Sequence, residues 1–168
     1  MDHPKVGYTI NDLKDVNNIK DNLTTAGNFI KQNNHRVSCH PGQYCCISSP
    51  NEETVKKSID CLEMHSLIGD LLGINEFNIN IHIGGTYEGK METAKRFIEG
   101  FKRLKPQTQQ RITVENDDKP SQWSVGDLYN MIYELIGTPI CFDYHHWHCH
   151  QDGFEIKDTA HKAFQTWN

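Results

Sequence analysis

The sequence predicts an α/β protein, a partial (β/α) barrel, and three observations lead to this fold class. Short β-rich segments alternate with longer segments in which apolar residues recur every three or four positions. One helical segment separates each pair of strands, which is the spacing of parallel strands joined by right-handed crossovers. A residue with metal-binding or catalytic chemistry ends or follows each strand, as at the active-site rim of such a barrel.

The elements are predicted from apolar periodicity and from capping signals. The second helix begins in an acidic segment after Ser49 and Pro50 and ends at Gly73, a residue typical of helix ends. Since a closed barrel needs eight strands, we expect residues 1–168 to form a single partial barrel domain of about four βα units. The predicted elements are helix 11–33, strand 36–39, helix 49–73, strand 77–83, helix 91–104, strand 111–114, helix 123–136, strand 139–142 and helix 156–167.

Composition excludes several protein classes. The 168 residues are 36% hydrophobic and 23% charged, which is typical of a folded globular chain and not of a disordered, collagenous or coiled-coil one. The net charge of −5 provides no general basic field for nucleic acid, although bound divalent cations could reverse the sign locally. No apolar run approaches the roughly 20 residues of a membrane span, and no secretory signal opens the chain. We therefore expect a cytoplasmic protein without a membrane partner.

The six cysteines are predicted to be reduced thiols. They are scattered through patterned segments of a chain well above mini-protein size, so a disulfide framework is disfavoured. No C-x-x-C pair occurs, and this excludes the ligand framework of a zinc ribbon or zinc finger.

Four polar residues at successive strand ends form a candidate metal site. They are His40, His82, Glu115 and Asp143, separated by 42, 33 and 28 residues, or about one βα unit each. Parallel strands bring their carboxyl ends to one rim, where two imidazoles and two carboxylates suit Mn²⁺, Fe²⁺ or Zn²⁺ better than Ca²⁺. A lone histidine is more often a packed core residue, but four such residues in series favour metal binding.

Further histidines surround the fourth strand end. His146 lies three residues after Asp143 and could reach the same cluster, whereas His148 and His150 are expected to be exposed and His145 has no assigned role. His65 falls in the middle of a predicted helix, where a packed or capping role is expected.

The turn after the first strand carries an amide and an aromatic ring. Pro41 and Gly42 specify a tight turn that would turn Gln43 and Tyr44 outward from the rim. These side chains could hydrogen-bond to and stack on a nucleic-acid base. The alternative is a structural turn whose tyrosine packs beneath its neighbour.

The ordered motifs resemble the ultraviolet damage endonuclease (UvdE-type) family, metal-dependent repair enzymes with a TIM barrel. The matching blocks occur in family order across about residues 36–150. They are His40-Pro41-Gly42-Gln43-Tyr44, Ser49-Pro50, the His65 region, Ile81-His82-Ile83-Gly84-Gly85, Val114-Glu115-Asn116-Asp117-Asp118 and Asp143-Tyr144-His145-His146. The resemblance implies a TIM-barrel-like fold and a nuclease that nicks ultraviolet-damaged double-stranded DNA 5′ to pyrimidine dimers.

The resemblance also implies roles for individual residues. Two or three divalent ions, expected to be Mn²⁺ with Zn²⁺ or Mg²⁺ as alternatives, would occupy the site. Gln43 and Tyr44 would contact the DNA lesion, and His82 and Glu115 would serve catalysis. The implied metal ligands are His40, His82, Glu115, Asp143 and His146.

The sequence departs from the family pattern and leaves two alternatives open. Family members are longer, and their later Lys-x-His-x-Ser strand has no counterpart here. One alternative is a non-catalytic or split metal- or DNA-binding fragment, with a second chain completing the barrel. The other is a divalent-metal sugar isomerase of the related barrel class.

Overall fold

The computed structural model describes residues 9–167, which contain a parallel sheet of four strands. The strands are β1 (Val37–Cys39), β2 (Phe77–Ile81), β3 (Ile112–Glu115) and β4 (Ile140–Cys141). They lie in chain order, and each neighbouring pair is parallel. This topology confirms the predicted α/β class with about four strand–helix units. Residues 1–8 and Asn168, which the predicted domain includes, lie outside the described part of the chain.

Helices provide the connections between the strands. They are α1 (Val16–Gln32), α2 (Glu52–Leu72), α3 (Lys90–Lys102), α4 (Pro106–Arg111), α5 (Val125–Leu128), α6 (Glu134–Ile136), α7 (Tyr144–Cys149) and α8 (Ile156–Phe164). A 3₁₀ turn, Ile10–Asp12, precedes α1, and a π-helical segment, Tyr129–Tyr133, joins α5 to α6. A sheet whose strand order never reverses places its right-handed crossovers on one face, as in a barrel.

Two short helices were not predicted from the sequence. Helix α4 begins with Pro106 at its first turn, and α7 lies within the histidine-rich tract after β4. Each has six residues, too few to show an apolar repeat. Such helices depend on capping and on tertiary packing, neither of which periodicity reveals.

Capping side chains and close packing define helix α2. The Asn51 side chain accepts hydrogen bonds from the backbone N–H groups of Glu53 and Thr54, at 2.9 and 3.2 Å. Gly73 ends the helix in the left-handed conformation, with a φ of 64°. A Cβ atom on Gly27 of α1 would lie 1.8 Å from the Leu72 carbonyl oxygen, so α1 packs on the end of α2 where only glycine leaves room.

The core lies between the sheet and its helices. In β2, Phe77, Ile79 and Ile81 are buried while the intervening asparagines are half-buried on the opposite side of the strand. All four residues of β3 are buried, as expected for a strand that is covered on both faces. Trp123 and Phe97 are the largest of the fully buried side chains. Burial of each large apolar side chain stabilises the fold by roughly 1.5–3 kcal/mol.

A buried arginine just before β3 contacts α2. The Arg111 side chain is only 8% exposed, and its guanidinium donates hydrogen bonds to the Ser66 hydroxyl and pairs with Asp70 at 2.9 and 2.8 Å. It also lies 5.9 Å from the centre of the Phe77 ring. Apolar spacing does not reveal this contact: it predicts Arg111 as the first residue of a strand, whereas the residue ends α4.

The six cysteines all fall in the described part of the chain, and no disulfide joins them there, in agreement with the predicted reduced thiols. Burial raises the pKa of Cys39 to about 11 and also raises the pKa of Cys141. Both thiols are therefore protonated near neutral pH, although they lie on the strands that carry the candidate site. None of the helices within residues 9–167 combines the length and the apolar character needed to cross a bilayer.

Candidate metal centre

The four predicted strand-end residues meet at one rim of the sheet. His40 and His82 directly follow β1 and β2, Glu115 is the last residue of β3, and Asp143 is the N-cap of α7 just after β4. Because the strands are parallel and in sequential order, their carboxyl ends lie side by side. The predicted convergence is therefore observed, while the ligand role of these residues stays a prediction.

Glu115 occupies the middle of this cluster. Its side chain is 8% exposed, and its Oε2 lies 3.4 Å from His40 Nε2. Its Oε1 lies 3.8 Å from His82 Nε2 and 3.3 Å from His146 Nδ1. The centre of the His82 ring lies 5.2 Å from the centre of the His40 ring and 5.6 Å from that of the His146 ring. The three imidazoles thus surround a single carboxylate.

Two overlapping groups of side chains could each hold a cation. One group is His40, His82 and Glu115, and the other is Glu115, Asp143 and His146, with donor atoms within 4.8 Å of one another in each. Glu115 belongs to both groups. Three imidazole nitrogens with two carboxylates form a mixed nitrogen and oxygen donor set, which suits Mn²⁺, Fe²⁺ or Zn²⁺. The donor chemistry therefore fits the implied divalent ions.

The negative charge of Glu115 has no lysine or arginine partner among residues 9–167. Besides the imidazoles, the Asn80 side-chain amide donates a hydrogen bond to Glu115 Oε2, and the Thr113 hydroxyl in turn donates to Asn80 Oδ1 at 3.0 Å. A buried carboxylate is costly unless cations or hydrogen bonds compensate it. Asn80 was not predicted from the sequence. Its polar side chain inside the buried strand β2, next to the strand that carries Glu115, is the feature that could have indicated it.

His82 also contacts a second buried carboxylate. Its Nδ1 lies 2.9 Å from Asp117 Oδ1, on the side of the ring opposite the nitrogen that approaches Glu115. The Asp117 carboxylate beside Nδ1 raises the pKa of His82 and outweighs the opposing effect of burial. Asp117 belongs to the motif around Glu115, but the sequence alone predicts no role for it.

His146 is fixed by the backbone around it. Its Nδ1 lies 2.8 Å from the Asn116 carbonyl oxygen, and its backbone N–H donates to Asp143 Oδ1 at 2.8 Å, capping α7. Burial acts to raise the pKa of Asp143, but hydrogen bonding to this N–H and the nearby His146 ring hold it below its usual value. The Asn116 side chain bonds to the Asp143 backbone at both its N–H and its carbonyl, joining the ends of β3 and β4.

Gln43 and Tyr44 lie in the turn after β1, outside both metal-binding groups. Both side chains are exposed, and Tyr44 is 84% exposed. The structure therefore agrees with an outward-facing turn and not with a tyrosine packed beneath its neighbour. Contact with a DNA lesion stays a prediction.

The remaining histidines follow the predictions in part. His65 is half-buried in α2 with its Nδ1 2.8 Å from the Cys61 carbonyl oxygen, a packed role as expected. His145 and His148 are exposed. The expected exposure of His150 was wrong: the residue, at the end of α7, is half-buried, and its Nδ1 is shielded from solvent.

Comparisons with known proteins identify relatives of this chain. The family model described as UV-endonuclease UvdE matches residues 1–168. A UV DNA damage endonuclease of Clostridium perfringens is 36% identical over 167 residues, covering 98% of this chain and 40% of the relative. A UV-damage endonuclease of Schizosaccharomyces pombe is 38% identical over 150 residues, covering 86% of this chain and 23% of the relative.

A solved structure has the same fold. The crystal structure of SacUVDE superposes with a TM-score of 0.88 at 36% sequence identity, covering 99% of this chain and 55% of that one. The α/β fold is thus that of an incomplete TIM-like barrel. The chain spans less than half the length of the two relatives above and about half of the solved chain. With its whole length matched by the family model, the chain belongs to the UV-endonuclease UvdE family.

Proposed function

We propose that this chain carries the metal centre of a DNA repair endonuclease that nicks DNA 5′ to ultraviolet photoproducts. The observation that carries the proposal is the buried carboxylate of Glu115, surrounded by three imidazoles and without a lysine or arginine partner in the described chain. Membership of the UV-endonuclease UvdE family supports the reaction class, and its relatives are named for endonuclease action on UV damage.

In this proposal five side chains hold two or three divalent ions, with Mn²⁺ as the expected ion. Bound ions supply activation of a water molecule and neutralisation of the charge that develops on the phosphodiester. Glu115 belongs to both groups of donors and would therefore contribute to holding each ion. With His82 it forms the proposed catalytic pair. The proposed ligands are His40, His82, Glu115, Asp143 and His146.

Damaged double-stranded DNA is the proposed substrate. A pyrimidine dimer stacks poorly on its neighbours, so unstacking it costs less than unstacking sound bases, and selectivity follows from that difference. Gln43 and Tyr44, exposed in the turn after β1, are the proposed contacts with the lesion. An aromatic face stacks on an unpaired base, and an amide hydrogen-bonds to its edge.

A second chain that supplies further strands is part of the proposal, which treats residues 1–168 as one partial barrel domain. Within residues 9–167, β1 and β4 each pair on one side only. Unpaired strand edges favour pairing with further strands. Addition of a polypeptide carrying the later family segments is expected to increase nicking by this chain, and no increase would contradict the role of a second chain.

The direct test is nicking of supercoiled plasmid, irradiated and unirradiated, with and without Mn²⁺. The proposal expects nicking that needs both irradiation and metal. His82→Ala should abolish it, whereas His161→Ala, which changes an exposed histidine of α8 outside the site, should not. Metal retention without nicking would favour the non-catalytic alternative. Isomerisation of an aldose without DNA nicking would instead favour the sugar isomerase.

A further inference from the structure

Asp117 is a buried carboxylate that belongs to neither group of potential metal donors among the described residues. It lies two residues after Glu115 and is 7% exposed, whereas the next residue, Asp118, is exposed. A buried carboxylate needs compensation for the solvation it loses. Its partners therefore indicate what it does.

One oxygen of Asp117 is held by the loop that follows β3. The Asp117 backbone N–H donates to the Trp123 carbonyl oxygen at 2.8 Å, and the Trp123 N–H donates back to Asp117 Oδ2 at 3.3 Å. The buried Trp123 indole donates to the Gly84 carbonyl oxygen at 2.9 Å, and Gly84 lies two residues after His82. The loops after β2 and β3 are thus joined around this carboxylate.

The other oxygen of Asp117 faces His82. Its Oδ1 lies 2.9 Å from His82 Nδ1, while His82 Nε2 points to Glu115 at 3.8 Å. A neutral imidazole carries its proton on one nitrogen and a lone pair on the other. A carboxylate oxygen 2.9 Å from the buried Nδ1 favours the proton on that nitrogen, and this leaves the Nε2 lone pair for a cation.

We propose that Asp117 is the positioning residue for His82, holding the ring with its Nε2 lone pair directed into the metal centre. The inference rests on the proposed metal centre and concerns how one of its ligands is oriented. Asp118, although adjacent and equally acidic, has no such role because its side chain is exposed.

Mn²⁺ binding to chelator-treated protein, measured by calorimetry and by the paramagnetic resonance of free Mn²⁺, provides the test. Asp117→Asn keeps the shape of the side chain but removes its charge, and it should weaken Mn²⁺ binding about tenfold. Asp117→Ala removes the acceptor as well and should approach the upper end of the roughly 10–100-fold loss that such partners typically cause. Asp118→Asn is the matched control and should bind Mn²⁺ as the unaltered chain does.

A second readout needs no metal. Long-range ¹⁵N–¹H spectra of the His82 ring, recorded where the ring is neutral, should show the proton on Nδ1 in the unaltered chain and in Asp118→Asn. In Asp117→Ala that preference should be lost. If Asp117→Ala does not fold, the isosteric Asp117→Asn variant carries the comparison of Mn²⁺ affinity.

The two proposals fail in different ways. If the unaltered chain binds no Mn²⁺, the proposed metal centre is wrong, whatever the His82 tautomer. If the unaltered chain binds Mn²⁺ and Asp117→Asn binds it equally well, Asp117 does not position His82. An unchanged His82 tautomer in folded Asp117→Ala would overturn the inference in the same way.

Discussion

Replacement of Glu115 by Gln should remove most of the stabilisation that Mn²⁺ gives the folded chain. Glu115 is the one side chain shared by both groups of donors, so a single change weakens both. Glutamine has the same shape, so the core around the site remains filled. Its amide also keeps an acceptor for the Asn80 side chain. The variant therefore tests the charge of the carboxylate and not the packing.

The expected magnitude follows from mass action. A ligand present at 100 times its Kd stabilises the folded state by about 2.7 kcal/mol, which for a chain of 168 residues raises Tm by about 5–10 °C. If loss of the charge weakens binding about 100-fold, the same Mn²⁺ concentration stabilises the variant by only about 0.4 kcal/mol, or about 1–2 °C. Asp143→Asn, which alters one group only, should give an intermediate shift.

Thermal unfolding of chelator-treated protein, with and without added Mn²⁺, measures this difference. Each variant is compared with its own metal-free sample, so an effect of the substitution on basal stability cancels. Glu99→Gln, which changes an exposed carboxylate of α3, is the matched control and should keep the full shift. A full Mn²⁺ shift in Glu115→Gln would refute the placement of Glu115 at the centre of the metal site.

Three further predictions concern stability and are measured by denaturant unfolding. Gly27→Ala should destabilise the chain by about 1–3 kcal/mol, because its Cβ would overlap the Leu72 carbonyl oxygen, and no loss would contradict the close packing of α1 on α2. Arg111→Met should cost about 1–3 kcal/mol by removing its hydrogen bonds to the buried Ser66 and its ion pair with Asp70, whereas the exposed Lys56→Met should change little. Asp127→Asn should cost about 1 kcal/mol near neutral pH, because burial acts to raise the pKa of Asp127 but the Lys90 ion pair and its capping hydrogen bonds lower it. Because the pKa of Asp127 is lowered in the folded chain, its charge stabilises the fold above about pH 4, and this stabilisation is lost as pH falls through the lowered pKa. The difference in stability between Asp127→Asn and the unaltered chain should therefore shrink at acidic pH. A difference that stays constant with pH would contradict this cause.

The longer elements of the fold were predictable because each contains enough apolar residues to show a regular repeat. The predicted helix 91–104 corresponds to α3, Lys90–Lys102, and the predicted strand 77–83 to β2, Phe77–Ile81. Helices α4 and α7 were not predictable in this way, since six residues give less than two turns of periodicity. The π-helical segment within the predicted helix 123–136 leaves no trace in the spacing either.

The site was predictable as far as strand ends determine it. Parallel strands bring their carboxyl ends together, so the convergence of His40, His82 and Glu115 follows from position alone. The contact between His82 and Asp117 depends on which of two adjacent aspartates turns inward. Asp117 is held inward by a hydrogen bond from the backbone N–H of Trp123, six residues further along the chain. A contact of this kind cannot be predicted from the local sequence pattern.

The candidate ligands lie at the strand ends or just beyond them, and two of the loops that follow the strands are joined to each other. The loop before α3 and the loop before α5 are joined by the Thr86 hydroxyl, which donates to the Ser121 carbonyl oxygen. The same two loops carry Gly84, Asp117 and Trp123, whose hydrogen bonds join them beside His82, so an insertion at any of these residues would disturb the proposed metal centre. Sequence variation in these loops is therefore expected to be tolerated only away from these three residues, so the loop lengths after β2 and β3 are constrained together.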